Sequence, residues 1–138
     1  MDTGWYGKAG DWDVDLNRFP NGLEPPKAKL DGYGMRFGVW NNPTMAAISS
    51  KTLAANRGSV MSWKGKQAEP QGMWGPESSY PMCLVSEYSD VYAETLIRLA
   101  AETGATYLYW DAVSQYGCDS PDHWHGGLAN TTEERSEA

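Results

Sequence analysis

The sequence predicts an α/β fold of roughly two to three βα units on a parallel sheet, and three observations carry that prediction. Short apolar runs, "MRFGVW" (35–40) and "ATYLYW" (105–110), alternate with stretches of helical composition. Glycine ends two of the helical stretches shortly before a strand, at "GYG" (32–34) and at Gly104, supplying the left-handed position that a helix C-terminus needs. Each strand then runs into polar residues, Asn41 and Asn42 after the first and Asp111 after the second. In βα folds the carboxyl ends of parallel strands face the functional site. Asp111 therefore stands where such a protein keeps a working carboxylate.

Taken in order, residues 1–20 are turn-rich, and the acidic run "GDWDVDL" leaves room for one short strand. "GLEPPKAKLD" (22–31) predicts a helix whose two prolines fall in the first turn, where no backbone donor is lost. "TMAAISSKTLAAN" (44–56) has helix-forming composition, with Met45, Ile48, Leu53 and Ala54 as its apolar positions. Residues 57–81 are rich in Gly, Pro and Ser and carry Trp63 and Trp74; a loop of that length is usually functional or disordered. "MCLVSEY" (82–88) predicts a short strand. "SDVYAETLIRLAAETG" is the clearest helix, with Ser89 as N-cap and Tyr92, Leu96, Leu99 and Ala100 on one apolar stripe. The strand 105–110 is expected to be buried.

The bulk numbers bound the function. A chain of 138 residues is one domain by length, and 41% hydrophobic residues suffice for a packed core. A net charge of −7 without clustered Lys or Arg argues against nucleic acid and anionic membrane as partners. No apolar run approaches the ~20 residues of a membrane-spanning helix, and "MDTGWYGKAG" has neither the basic start nor the apolar run of a signal peptide. Seven Trp and eight Tyr against two Phe favour side chains with a flat apolar face and a polar edge, which suit the two-sided surface of a pyranose. The same bias also fits plain core packing. Two cysteines, Cys83 and Cys118, are too few for a disulfide framework.

Three blocks, in order, resemble the α-galactosidases (melibiases) of glycoside hydrolase family 36. "DTGWYG" is similar to the family's Asp-Asp-Gly-Trp block at an early strand tip. The stretch from there through "FPNGL" to "GMRFGVW" resembles the path to the next strand. "YLYWDAVSQYGC" resembles the Lys-Trp-Asp block that holds the nucleophile. The likeness spans roughly residues 2–127. It implies part of a TIM (β/α)8 barrel over residues 1–127, two to three units of eight, with 128–138 as a polar charged tail leading onward. "DTGW" then reads as the tip of a strand whose body precedes this chain.

The resemblance also implies a reaction, retaining hydrolysis of terminal α-galactosides, with no cofactor and no metal. Asp111 matches the nucleophile. Asp2 matches a carboxylate that binds galactose hydroxyls, Trp40 an aromatic residue of the sugar subsite, and Trp5 the same tip as Asp2. Tyr109 stands where the family has a Lys that contacts sugar hydroxyls. Thr3 replaces the family's second Asp, Asn41 and Asn42 replace its Glu, and no Arg occurs between Arg57 and Arg98. The family's acid/base carboxylate lies on a later strand, so the isolated chain is expected to lack general acid catalysis, a loss of ~10²–10⁴-fold, and to be inactive. A non-catalytic sugar-binding or degenerate relative, or an α-glycosidase for another sugar, fits the same residues.

"CDSPDHWHG" offers Cys118, Asp119, Asp122, His123 and His125. Structural zinc sites usually pair two close Cys with two close His, and only one Cys is local. The segment therefore reads as loop structure or as substrate contact past the nucleophile, with His123 or His125 on the aglycone side.

Overall fold

A computed structural model describes residues 1–72, 75–111 and 117–125. Helix α1 (Glu24–Asp31) forms as the sequence predicts, with proline in its first turn. Beyond it Gly34 takes the left-handed conformation at φ +68°. Strand β1 (Gly38–Asn41) follows, with Val39, Trp40 and Asn41 buried. The next stretch departs from the predicted 44–56 helix. It divides into strand β2 (Met45–Ala47) and a short helix α2 (Lys51–Ala55). Local side-chain bonds and a distant strand override propensity here. The Asn42 side chain accepts from the Thr44 N–H and hydroxyl, each at 2.9 Å, turning the chain. Helix α2 begins only at Ser50, whose hydroxyl accepts from Leu53 N–H. Asp11 accepts from the Lys51 and Thr52 amides at 3.2 and 2.9 Å, a carboxylate at the positive end of the helix.

A single 3₁₀ turn (Arg57–Ser59) leads into the hairpin β3 (Ser62–Trp63) and β4 (Lys66–Gln67). Its two-residue loop, Lys64–Gly65, has φ of +54° and +69°, the twist that a tight hairpin requires. Strand β5 (Ser79–Pro81) pairs antiparallel with β2. It lies ahead of the predicted 82–88 strand, of which Met82 alone forms a bridge, to Val60. Helix α3 (Tyr88–Thr103) buries Tyr88, Tyr92, Leu99 and Thr103 and ends at Gly104, φ +65°. Its start differs from the expected Ser89 cap. Glu87 is the N-cap without a side-chain bond, and the Ser86 hydroxyl accepts from Tyr88 N–H at 3.3 Å.

Strand β6 (Tyr107–Trp110) then pairs in parallel with β1, Trp40 opposite Tyr109 and Asn41 opposite Trp110. On the other edge of β1, the Met1 amino group donates to Gly38 O at 2.6 Å and Trp40 N–H donates to Met1 O at 2.9 Å. That is the bond pattern of a parallel ladder. Three chain segments thus run side by side in the order Met1, β1, β6. The predicted burial of the last strand is overturned: Tyr107, Tyr109 and Trp110 are 59%, 48% and 53% exposed. Among the described residues β6 has β1 as its only strand partner.

The principal core gathers Trp5, Tyr6, Trp12, Leu23, Phe37, Val39, Trp40, Met45 and Leu99. Its centre is aromatic. Tyr6 stacks on Trp40 at 6.0 Å and 11°, and meets Trp12 edge-on at 4.6 Å. A second cluster, Leu53, Val60, Met82, Tyr88 and Tyr92, joins α3 to the β2–β5 pair. No helix among the described residues is long and apolar enough to cross a membrane.

Candidate active site

The carboxyl ends of β1 and β6 lie together because the parallel register brings Asn41 level with Trp110. Asp111 follows directly, and its N–H donates to Asn41 O at 3.2 Å. Its carboxylate is exposed, and Oδ2 accepts from the indole N–H of Trp40 at 3.1 Å. Asp2 is exposed beside the other edge of β1, with Oδ1 accepting from Thr3 N–H at 2.6 Å. The predicted carboxylates Asp2 and Asp111 therefore flank one strand tip.

Trp40, expected in the sugar subsite, lies just behind the tip. Its ring is 3% exposed and packed among Tyr6 and Trp12. What it presents to the tip is its N–H, bonded to Asp111. Trp5 is wholly buried and donates its own N–H to Trp40 O at 2.9 Å. It supports the tip from beneath. Tyr109 is half-exposed on β6, paired with Trp40 across the ladder.

Two tyrosines complete the tip and were not singled out for it by the sequence. The Tyr92 hydroxyl donates to Asn41 Oδ1, and its ring lies 6.0 Å from Trp110. The signal was the tyrosine at one position of an otherwise aliphatic helix stripe. Burial pushes the Tyr92 phenol well above its ordinary range. Tyr6 is pushed up to about 12, chiefly by burial; Arg18 opposes this and the Asp2 charge adds to it. The side-chain nitrogen of Asn41 is buried without a partner among the described residues.

Past Asp111, the expectation of loop structure is met for Asp119. Its carboxylate accepts from the Ser62 hydroxyl at 2.8 Å and from Gly65 N–H at 3.0 Å. The Ser62 bond foremost holds this carboxyl below its usual range. Asp122 is exposed, His123 buried and His125 half-buried. Trp63 is 40% exposed and lines an open pocket of about 250 Å³ with Met61, Ala68, Gln71 and Pro81. Trp74 and residues 128–138 lie outside the described residues.

The sequence profile of the Melibiase family matches residues 1–123. The chain belongs to the melibiase family. Among curated melibiase relatives, the α-galactosidase AgaA of Geobacillus stearothermophilus is 27% identical over 123 residues, covering 80% of this chain and 16% of that protein. The A type blood α-D-galactosamine galactosaminidase of Flavonifractor plautii is 28% identical, covering 99% of this chain and 14% of that protein. Among solved structures, the α-galactosidase TtGalA of Thermus thermophilus, in complex with p-nitrophenyl α-D-galactopyranoside, superimposes with a TM-score of 0.66 at 24% identity over 99% of this chain and 29% of that one. AgaA in complex with raffinose gives 0.67 at 20% identity, with 99% and 21% covered. The structural likeness speaks for a shared fold. The chain spans about a sixth of the length of the curated relatives it matches.

Proposed function

We propose that this chain supplies the nucleophile-bearing part of the catalytic (β/α)8 barrel of a retaining α-glycosidase acting on terminal α-galactosides. The observation that carries the reading is the exposed Asp111 carboxylate at the carboxyl end of a parallel strand in a melibiase chain, held by the Trp40 indole. In this reading Asp111 Oδ1 attacks the anomeric carbon while the Trp40 N–H fixes Oδ2 and stabilises the carboxylate's orientation. The glycosidic C–O bond breaks, and a galactosyl ester on Asp111 forms with inversion. A second carboxylate about 5–5.5 Å away protonates the departing oxygen, then takes a proton from water that cleaves the ester with a second inversion. That acid/base group we place on another part of the barrel, so the 138-residue chain alone turns over no substrate. Asp2 binds sugar hydroxyls, and Tyr109 borders the same subsite.

The test uses the intact enzyme. Asp111→Asn is expected to lower kcat for an aryl α-galactoside by ~10³-fold or more. In Asp111→Gly, azide is expected to enter the vacated space and yield the β-configured galactosyl azide. Full activity in Asp111→Asn, or an α-configured azide, sinks the assignment.

A second reading keeps the chemistry and changes the sugar at C2. It is favoured by the galactosaminidase relative, which covers 99% of this chain, and by Tyr109 in place of the family lysine. A ratio of kcat/KM for aryl α-galactosaminide over α-galactoside above one would favour it.

A further inference from the structure

The fold draws together four side chains that the sequence keeps apart. Cys83, Cys118, His123 and His125 place one ligand atom each within 4.8 Å of one another. Cys118 Sγ lies 3.2 Å from His123 Nδ1, and Cys83 Sγ lies 3.6 Å from His125 Nε2. Neither cysteine is in a disulfide. We propose that these four residues form a closed structural zinc site, Cys₂His₂, that clasps the segment following Asp111 to the body of the domain.

The distances suit the ion. Zn–S bonds of ~2.3 Å and Zn–N bonds of ~2.0–2.1 Å on a tetrahedron put sulfur and nitrogen ligands ~3.5 Å apart. Both S···N distances fall beside that value. The two imidazoles stand at 86° to one another, so neither blocks the other's approach. A thiolate–imidazole set with four protein ligands selects zinc and leaves no open position for substrate.

The surroundings orient the ligands. His123 Nε2 lies 2.8 Å from Gly58 O. A carbonyl accepts only, so Nε2 donates to it and Nδ1 is the nitrogen turned toward Cys118. Metal-bound histidines are positioned in this way by their other nitrogen. The Ser62 N–H donates to Cys118 Sγ at 3.4 Å. Backbone bonds hold the ligand segments in place: Cys83 N–H to Ser59 O at 2.9 Å, Asp119 N–H to Ser62 O at 3.0 Å and Trp124 N–H to Val85 O at 3.0 Å. Zinc would thus tie residues 118–125 to residues 83–85 across the 57–62 strip. This site is independent of the role assigned to Asp111.

The experiment measures metal in the purified protein by plasma mass spectrometry and replaces it with cobalt. About one zinc per chain is expected, with the intense visible absorption of tetrahedral cobalt–thiolate coordination. His125→Ala, at a half-buried position, is expected to weaken zinc binding at least tenfold and to alter the cobalt spectrum. Cys118→Ser should lower the thermal midpoint of the zinc-loaded protein and not that of the chelated one. Should a cysteine variant fail to fold, the wild-type zinc content and cobalt spectrum decide alone. Wild-type protein that retains no zinc after loading and shows only octahedral cobalt overturns the proposal. So does a Cys83–Cys118 disulfide in protein purified under reducing conditions.

Discussion

At the residue scale, the decisive contact is the Trp40 indole on Asp111. A hydrogen bond to a charged group contributes about 1.5–3 kcal/mol. Trp40→Phe keeps an aromatic ring against Tyr6 and removes only the donor. If Asp111 is the nucleophile as proposed, this change in the full-length glycosidase is expected to lower kcat roughly 10- to 100-fold with KM little changed, measured by steady-state kinetics on an aryl α-galactoside. An unchanged kcat would count against the orienting role proposed for the bond. Tyr6, stacked behind it, gives a pH dependence. Burial raises its phenol from the ordinary value of 10.0 to about 12 in the folded chain. Between those values the unfolded chain has lost a proton that the folded chain keeps. Stability from this group is therefore complete below pH ~10 and lost as pH rises toward 12. Thermal midpoints across that window should fall less steeply for Tyr6→Phe than for the wild type.

At the scale of elements, β1 and β6 meet through a glycine. A Cβ on Gly38 would stand 2.6 Å from Tyr107 O and 2.8 Å from Tyr107 Cβ. The first clash is with backbone, so the strands must part. Gly38→Ala is expected to destabilise by ~1–3 kcal/mol, the range for overpacking, read from denaturant melts. The same elements show what the sequence could disclose. Helix α3 was legible because sixteen residues give the 3.6 period room to repeat and Gly104 marks its end. The Asp111 position was legible because a strand, a tip and a carboxylate adjoin in the chain. Strand β2 was not. Three residues carry no period, and what makes Met45–Ala47 extended is β5, far along the chain. The burial of Trp40 was not legible either: the resemblance places it in the sugar subsite, and its packing among Tyr6 and Trp12 depends on residues far along the chain. The Cys83 contribution to the histidine cluster had no local signal at all.

At the scale of the whole molecule, the acidic charge and the open aromatic edge pull in different directions. Tyr107, Tyr109 and Trp110 lie exposed on a strand that, among the described residues, pairs on one side with β1. Parallel sheets are covered on both faces, and a bare apolar edge recruits another strand. The 138-residue chain expressed alone is expected to self-associate through β6 despite its net charge of −7. Sedimentation velocity should show oligomers that Tyr107→Lys reduces; a monodisperse wild-type chain at high concentration would refute this.

The pairing of β1 with β6 also has a temporal consequence. Residues 42–106 lie between the two strands, whereas β2, α2, β3 and β4 follow one another closely. Closing a long loop costs entropy before its contacts repay it. The nearer contacts are expected to form first and the β1–β6 ladder late, an order that pulsed hydrogen exchange on the β1 and β6 amides would check. On that order the carboxylate tip would be assembled last and open first, so the Asp111 amide should exchange ahead of those of α3.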